Sequence, residues 1–135
     1  MTRNRSLVLA VLVSGGVLFI FLSATLAEEN AGDAAKAKLV KAASDTLNSV
    51  QQSLIGGGTT VEDVYLWSHR VMEAEIDNGV NGKVATATHI ARMRELQKRS
   101  EAKVKLGTST RHELYATTYY LEKSLLEQQK RSRRF

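Results

Sequence analysis

The stretch "GGTTVEDVY" (Gly57–Tyr65) returns in outline fifty positions later as "GTSTRHELY" (Gly107–Tyr115). Glycine ends a helix well because it adopts the left-handed conformation at low energetic cost. A threonine followed three residues later by an acid is a capping box, which starts a helix. The paired residues are Thr60 with Asp63 and Thr110 with Glu113. Each copy therefore predicts a junction between two helices. At the first junction, the helix that follows is predicted to begin near Val61.

The residues before the first junction have the spacing of one narrow helical seam. Over Asp33–Ile55 the apolar residues fall three and four positions apart, as in a heptad repeat. The seam consists of Val40, Ala43, Leu47, Val50 and Leu54. This helix is rich in alanine and has few large apolar residues, so the pattern also favours loose packing or a need for a partner chain.

Three further helices follow from the same spacing argument. The second is predicted to end at "DNGVNG" (77–82), whose Asn-Gly pairs favour turns, and the third runs from about Lys83 to Leu106. The residues of the second helix that are predicted to face the core are Val61, Val64, Tyr65, Ser68, Val71, Met72 and Ile76. On the third helix the predicted core-facing residues are Val84, Ala87, Ile90, Met93, Leu96 and Val104. On the fourth helix they are Leu114, Thr118, Leu121 and Leu125.

The predicted fold class is all-α, with an N-terminal hydrophobic helix and then four helices that form two αα-hairpins. The hairpins either pack side by side as a bundle or lie end to end as a coiled coil. The repeated junction has two explanations, which are a true internal duplication and convergence on common capping chemistry. Both explanations give the same architecture.

The N-terminus predicts export. Arg3 and Arg5 precede the uncharged apolar run 7–27, and Thr25 and Ala27 are small residues at the positions that a signal peptidase requires. Cleavage after Ala27 would release a periplasmic or secreted protein. The run is also long enough, at ~1.5 Å per residue, to cross a hydrocarbon core of about 30 Å. An uncleaved run would tether the protein to the inner membrane, with its N-terminus in the cytoplasm and residues 28–135 outside.

Composition limits the possible functions. Residues 28–135 number 108 (135 minus 27), the size of one domain. The chain contains no cysteine, which excludes disulfides, thiolate catalysis and zinc ribbons. Its net charge is +5, and a charge this modest on an exported protein argues against nucleic acid as a partner.

No catalytic, cofactor-binding or metal-binding motif is present. His69 and Glu73 lie four residues apart, but two ligands do not make a metal site, and no His-Glu-x-x-His pattern occurs. The glycine runs lack the lysine and spacing of a phosphate loop. His69, His89 and His112 are therefore predicted to lie at the surface or rim. The sequence predicts a protein that is not an enzyme and needs no cofactor or metal.

Two groups of residues are candidates for binding. The aromatic group is Tyr65, Trp67, Tyr115 and Tyr119, and the basic C-terminal tail contains Lys130, Arg131, Arg133 and Arg134. Aromatic residues at helical spacing are commonly core residues, whereas an exposed Trp67 would favour a binding patch. Basic residues at a helix end complement the helix dipole, and they also attract anionic membrane surfaces.

Two local resemblances can be named. The segment "VKLGTSTRHELYATTYYLEKSLLEQ" (104–128) resembles the glycine-containing helix junction of outer-membrane efflux proteins of the TolC type. This chain is far shorter than that family and lacks alternating strand segments, so a channel is excluded. The patterns "YLWSHR" (65–70) and "ATHIARMRELQK" (87–98) resemble short exported helical proteins of bacteria, which implies a similar hairpin protein and no activity.

Two functional hypotheses follow. In the first, the protein is a structural or interaction element of the cell envelope that associates with itself or with an envelope protein through its heptad-like seams. In the second, it is a module that binds a ligand or the envelope surface, including an anionic membrane, with its aromatic positions and basic tail.

Overall fold

The chain is helical in every element that the computed structural model describes, which covers residues 31–133. The helices are α1 (31–55), α2 (Val61–Asp77), α3 (Gly82–Lys105) and α4 (Arg111–Ser132), and no strand occurs in this range. The prediction of an all-α protein with four helices is confirmed. The predicted N-terminal hydrophobic helix (7–27) lies outside the described residues, and none of the described helices is long and apolar enough to cross a membrane.

The chain divides into two compact units, Met1–Ala35 and Lys36–Phe135, and the second contains the helical bundle. Within it, α2 and α4 run parallel, because residues along both helices meet in the same order. Tyr65 stacks on Tyr120 near the start of α2, and Glu73 pairs with Arg131 near its end. The third helix, α3, packs against both and runs in the opposite direction.

The core decides between the two predicted arrangements. Ala43 and Leu47 of α1 belong to the same buried cluster as residues from α2, α3 and α4, so the helices form a bundle and not an end-to-end coiled coil. Val50 and Leu54 pack against this cluster as partly buried residues. Two residues of the α1 seam, Ala43 and Leu47, are therefore buried within the chain itself, whereas residues 31–39 of the same helix are exposed.

At each of the three connections between the described helices, the preceding helix ends with the same pattern of hydrogen bonds. At Gly57 the chain has a φ of 77°, its amide donates to the Leu54 carbonyl, and the Gly58 amide donates to the Ser53 carbonyl. This pair of bonds is the Schellman motif, which satisfies the last free carbonyls of a helix. Gly79 and Gly107 form the same pair of bonds. Because the motif also occurs at the connection that lies outside the repeat, shared capping chemistry does not require duplication.

The two predicted capping boxes differ. At Thr60 the box is complete, since the Asp63 amide donates to the threonine hydroxyl at 3.2 Å and the Thr60 amide donates back to the carboxylate at 2.9 Å. The Thr60 amide and the Thr60 hydroxyl both donate to the carboxylate of Asp63 and hold its pKa below the usual value. At Thr110 only the first bond forms, at 3.5 Å. The longer side chain of Glu113 instead accepts bonds from Ser109 and from Ser100 of α3, so the predicted second box is half correct.

The predicted inward face of α3 is partly wrong. Ile90, Met93 and Leu96 are buried, as expected, whereas Val84 and Ala87 are exposed. The inward positions near them are occupied by small or polar residues, namely Ala85, Thr86, His89 and Ser100. A search for large apolar residues misplaces this face because α3 contacts its neighbours closely through small side chains and hydrogen bonds.

The packing of α1 gives a direct test. Leu47→Ala should lower the free energy of unfolding by about 2–5 kcal/mol, because it leaves a cavity in the common core. The matched change Leu39→Ala, at an exposed position of the same helix, should alter it by less than ~0.5 kcal/mol. Urea denaturation followed by circular dichroism measures both. Equally small effects would mean that α1 does not share the core.

Candidate functional site

A buried polar cluster joins three helices. His89 of α3 is 1% exposed, and it lies between Ser68 of α2 and Ser124 of α4, both also buried. The Nδ1 atom of His89 is 2.9 Å from Ser68 Oγ, and its Nε2 atom is 3.0 Å from Ser124 Oγ. Ser124 Oγ donates to the Tyr120 carbonyl at 2.8 Å. The prediction that His89 lies at the surface or rim is therefore wrong.

The hydrogen bonds select a neutral imidazole. Because Ser124 uses its proton on the Tyr120 carbonyl, its oxygen accepts from Nε2–H, which leaves Nδ1 to accept from the Ser68 hydroxyl. A protonated ring would carry a proton on Nδ1 as well, and it could not accept a hydrogen bond from the Ser68 hydroxyl. Burial lowers the pKa of His89 to about 4, and the charges of His69 and Arg92 act in the same direction.

A serine beside a histidine is also the arrangement of a nucleophile and its base. Here the two serines and the histidine are buried, so a substrate carbonyl has no approach to either hydroxyl. No buried side-chain nitrogen or oxygen atom within residues 31–133 is left without a hydrogen-bond partner. The arrangement fixes the register of α2, α3 and α4 relative to one another.

The rings of Tyr65 and His69 both lie 5.6 Å from the His89 ring, and polar contacts lead from these two residues to the surface. The Tyr65 hydroxyl donates to Glu127 at 3.2 Å, and burial followed by the charge of Glu127 raises the pKa of Tyr65, which keeps the hydroxyl protonated. His69 lies 3.4 Å from Glu127 and 3.7 Å from Glu73. Glu73 in turn pairs with Arg131 at 3.7 Å. Despite this grouping, the described part of the chain contains no cluster of three or more side chains that could hold a metal ion.

An open groove of about 1140 Å³ lies beside this chain of contacts. It is bounded by the C-terminal half of α2, the first turn of α3 and the last turns of α4. Its lining includes the charged residues Lys83, Lys130, Arg131 and Glu127 together with His69. The two predicted basic residues Lys130 and Arg131 are therefore groove residues, whereas Arg133 is exposed at the end of α4 and Arg134 lies outside the described residues.

The four aromatic candidates do not form one surface. Tyr65 is buried under Tyr120 and Lys123, so its ring is not available to a partner. Trp67 is half-buried and packs against the core, with the Arg70 guanidinium 4.4 Å from its ring centre. Tyr115 and Tyr119 are 64% and 61% exposed on α4. Equivalent positions in the repeated junction, Tyr65 and Tyr115, thus have opposite environments.

The exposed tyrosines belong to a longer row, which we call the outer α4 stripe. It faces away from the buried residues Thr117, Leu121 and Ser124 of the same helix, and all of its members are exposed. Their spacings alternate between four and three residues, as in a coiled-coil seam. The stripe consists of Tyr115, Tyr119, Glu122, Leu126, Gln129 and Arg133.

Basic side chains gather at one end of the bundle. The end of the bundle formed by the connection 78–81 and the last turn of α4, which we call the basic end, carries the exposed basic residues Lys83, Lys130 and Arg133, with Asp77 exposed at the same end. At the opposite end, which carries the connections 56–60 and 107–110, acidic and basic residues are nearly balanced.

Sequence reasoning found the tail but missed two features of this site. The sequence places Lys83 only at the start of a helix, because Lys130 and Arg131, which line the same groove, are distant from it along the chain. His89 was missed because a lone histidine has no partner pattern along the chain. Its spacing of three and four residues from Thr86 and Met93 was the one available sign that it lies on the inward face.

Comparison of the chain with protein-family models, with curated proteins and with solved structures finds no match. The functional argument below therefore rests on the contacts, exposure and charges of the chain's own residues.

The buried histidine predicts an acid-sensitive fold. Its pKa is about 4 in the folded chain and about 6.5 in the unfolded chain, so on acidification the unfolded chain binds the proton first. The stability that the neutral ring contributes is complete above the unfolded pKa and is lost progressively as the pH falls from about 6.5 to about 4. Between pH 7 and pH 5 the free energy of unfolding should fall by about 2 kcal/mol through this residue.

Urea denaturation at a series of pH values measures this loss. His89→Gln, which cannot titrate, should flatten the pH dependence above pH 5, whereas His112→Gln at an exposed position of α4 should leave it unchanged. An unchanged slope in His89→Gln would contradict the prediction.

Proposed function

We propose that the protein is an exported, non-enzymatic helical protein of the cell envelope that acts by protein–protein contact. The observation that carries the proposal is the outer α4 stripe, where two tyrosines and Leu126, the last 51% exposed, follow a coiled-coil spacing on a surface without a partner in the described chain. Tyrosine contributes large contact area with little loss of conformational freedom, and it is enriched in binding surfaces.

We place the contact on the outer α4 stripe and not on the heptad-like seams, because seam residues already pack inside the bundle. Leu47 of α1 and Leu121 of α4 are both buried in the common core. A charged residue at either position would unfold the bundle and would therefore report on stability, not on association. The outer stripe can be changed without opening the core, because its side chains point away from it.

The partner that fits best is a second copy of this chain. If two α4 helices pair antiparallel about a twofold axis between Tyr120 and Leu121, Tyr115 of one copy lies against Leu126 of the second copy. The same register places the Tyr119 hydroxyl opposite Glu122 of the second copy, where it can donate a hydrogen bond. Each member of the central stripe then meets a chemically suitable neighbour, which is the condition for a self-complementary interface.

Export is supported by the sequence alone, through Arg3, Arg5 and the apolar run 7–27. The alternative function, a module that binds a ligand or the envelope surface, keeps support from the groove and from its basic residues Lys130 and Arg131. It loses Tyr65 as a contact residue, since that ring is buried.

Self-association can be measured by sedimentation equilibrium of the full chain in a density-matched detergent. The unsubstituted protein should form a dimer whose fraction rises with concentration. The double variant Tyr115→Ser and Tyr119→Ser should weaken dimerisation at least tenfold, since it removes two exposed aromatic anchors worth about 1 kcal/mol or more each.

The matched control is Ile55→Ser with Leu106→Ser, which removes two exposed apolar residues that adjoin the connections 56–60 and 107–110 and lie outside the outer α4 stripe. The control should dimerise normally, and circular dichroism should show both variants fully helical. A monomer at every concentration, or equal losses in both double variants, would reject the α4 interface.

A further inference from the structure

We propose that the groove between α2, α3 and the last turns of α4 binds a small soluble molecule through a phosphate monoester group. The volume of the groove, about 1140 Å³, is large enough for a phosphate group together with the organic molecule that carries it. This binding site goes beyond the proposed function, and it depends neither on export nor on the α4 interface.

A hydroxyl group without a partner faces the groove. Thr86 of α3 lines the groove and is 4% exposed, and its hydroxyl has no hydrogen-bond partner within residues 31–133. Every fully buried side-chain oxygen in this range does have a partner, so the Thr86 oxygen is not fully buried and opens onto the groove. A hydroxyl that is mostly shielded from water and has no protein partner is satisfied by a ligand that brings an acceptor.

The other helical threonines of the described chain satisfy their hydroxyl groups differently. Thr46, Thr88, Thr117 and Thr118 each donate to a backbone carbonyl three or four residues earlier in the same helix. This bond is a common way for a threonine inside a helix to use its proton. Thr86 makes no such bond, so its proton remains available to an acceptor in the groove.

The first turn of α3 places further donors beside this hydroxyl. Gly82 and Lys83 precede Thr86 by four and three residues, so all three lie on one face of α3, and all three line the groove. The Asn81 side chain accepts from the Lys83 amide at 2.9 Å, whereas the Gly82 amide has no acceptor within the described residues. The first turn contains no acidic residue, so the positive end of the helix dipole is open to an anion.

Cations from two helices meet in the same groove. Lys83 of α3 and Lys130 of α4 line it, and neither ammonium group forms an ion pair within residues 31–133. Arg131 also lines it and pairs with Glu73 at 3.7 Å, which leaves further N–H groups of the guanidinium for a second acceptor. The positive charge of the groove is therefore only partly used by the fold.

The acids near the groove do not cancel this charge. Glu127 is the one carboxylate in the described lining, against three basic side chains. It already accepts a hydrogen bond from the Tyr65 hydroxyl and lies 3.4 Å from His69. Asp77 is exposed at the end of α2 and is not part of the lining. The groove therefore favours an anion.

These donors suit a phosphate monoester better than a carboxylate. A phosphate monoester has three terminal oxygens and between one and two negative charges at neutral pH, so it can satisfy several of the donors at once. A carboxylate has two oxygens and a single charge. The Ile76 side chain lies next to Gly82 and provides an apolar wall for the organic part of the ligand.

Isothermal titration calorimetry of the full chain in detergent, with phenyl phosphate as the probe, tests the proposal. Phenyl phosphate should bind with one molecule per chain. It should bind about tenfold or more tightly than glycerophosphoglycerol, which is the water-soluble headgroup of phosphatidylglycerol and a diester with one negative charge. Absence of binding at millimolar phenyl phosphate would overturn the proposal. Equal or tighter binding of the diester would overturn it too, because a lipid headgroup would then fit the groove as well.

Thr86→Val separates binding from folding. Valine has nearly the same shape and lacks the hydroxyl, so phenyl phosphate should bind about tenfold more weakly, whereas the free energy of unfolding should not fall. The matched control is Thr88→Val, at an exposed position of the same helix where the hydroxyl donates to the Val84 carbonyl. This control should bind phenyl phosphate normally. Equal affinities of the two variants would contradict the role of Thr86.

The charges are tested by Lys83→Gln with Lys130→Gln, which should weaken binding of phenyl phosphate about tenfold or more. The control Arg94→Gln with Lys98→Gln removes the same charge from exposed positions of α3 outside the groove lining and should leave the affinity unchanged. Equal effects of the two double variants would reduce the binding to general charge attraction and overturn the site. The double variant of the two exposed tyrosines should bind phenyl phosphate normally, which separates this site from the α4 interface.

Discussion

The hydrogen-bonded contact of His89 with Ser68 and Ser124 is the constraint on which the arrangement of α2, α3 and α4 depends. One side chain from each helix meets at a single buried point, and both ring nitrogens have a partner. A slip of any helix by one turn would leave a buried polar group unpaired, at about 1–3 kcal/mol. Apolar contacts are less selective, because neighbouring registers of a seam bury similar area. The polar cluster therefore fixes a register that the apolar residues alone leave open.

The sequence was sufficient for the local structure and for half of the packing. Glycine and capping signals set the helix ends within a residue or two, and the large apolar residues of α1 and α2 identified their inward faces. They did not identify the inward face of α3, where Thr86, His89 and Ser100 are buried. The burial of His89 and Ser100 depends on hydrogen-bond partners on other helices, and the spacing of residues along one helix does not contain that information.

The same limitation applies to α4, which has two rows of residues with coiled-coil spacing. The inner row contains Thr117, Leu121 and Ser124, and the outer row contains Tyr115, Tyr119 and Leu126. The sequence pattern correctly places Leu121 inward, but it does not identify Thr117 and Ser124 as buried residues of the same face. The tyrosines remain outside because the inner row provides Ser124 to His89 and small side chains to the close contact with α3.

The basic residues at the end of α4 have a role in the fold itself. Lys130 and Arg131 lie in the last turn of α4, where they face the negative end of the helix dipole and stabilise it. Arg131 also pairs with Glu73 of α2 at 3.7 Å, so it links the ends of two parallel helices. The charges that the sequence offers for binding are therefore used in part by the bundle, because the same side chains that line the groove also hold its helices together.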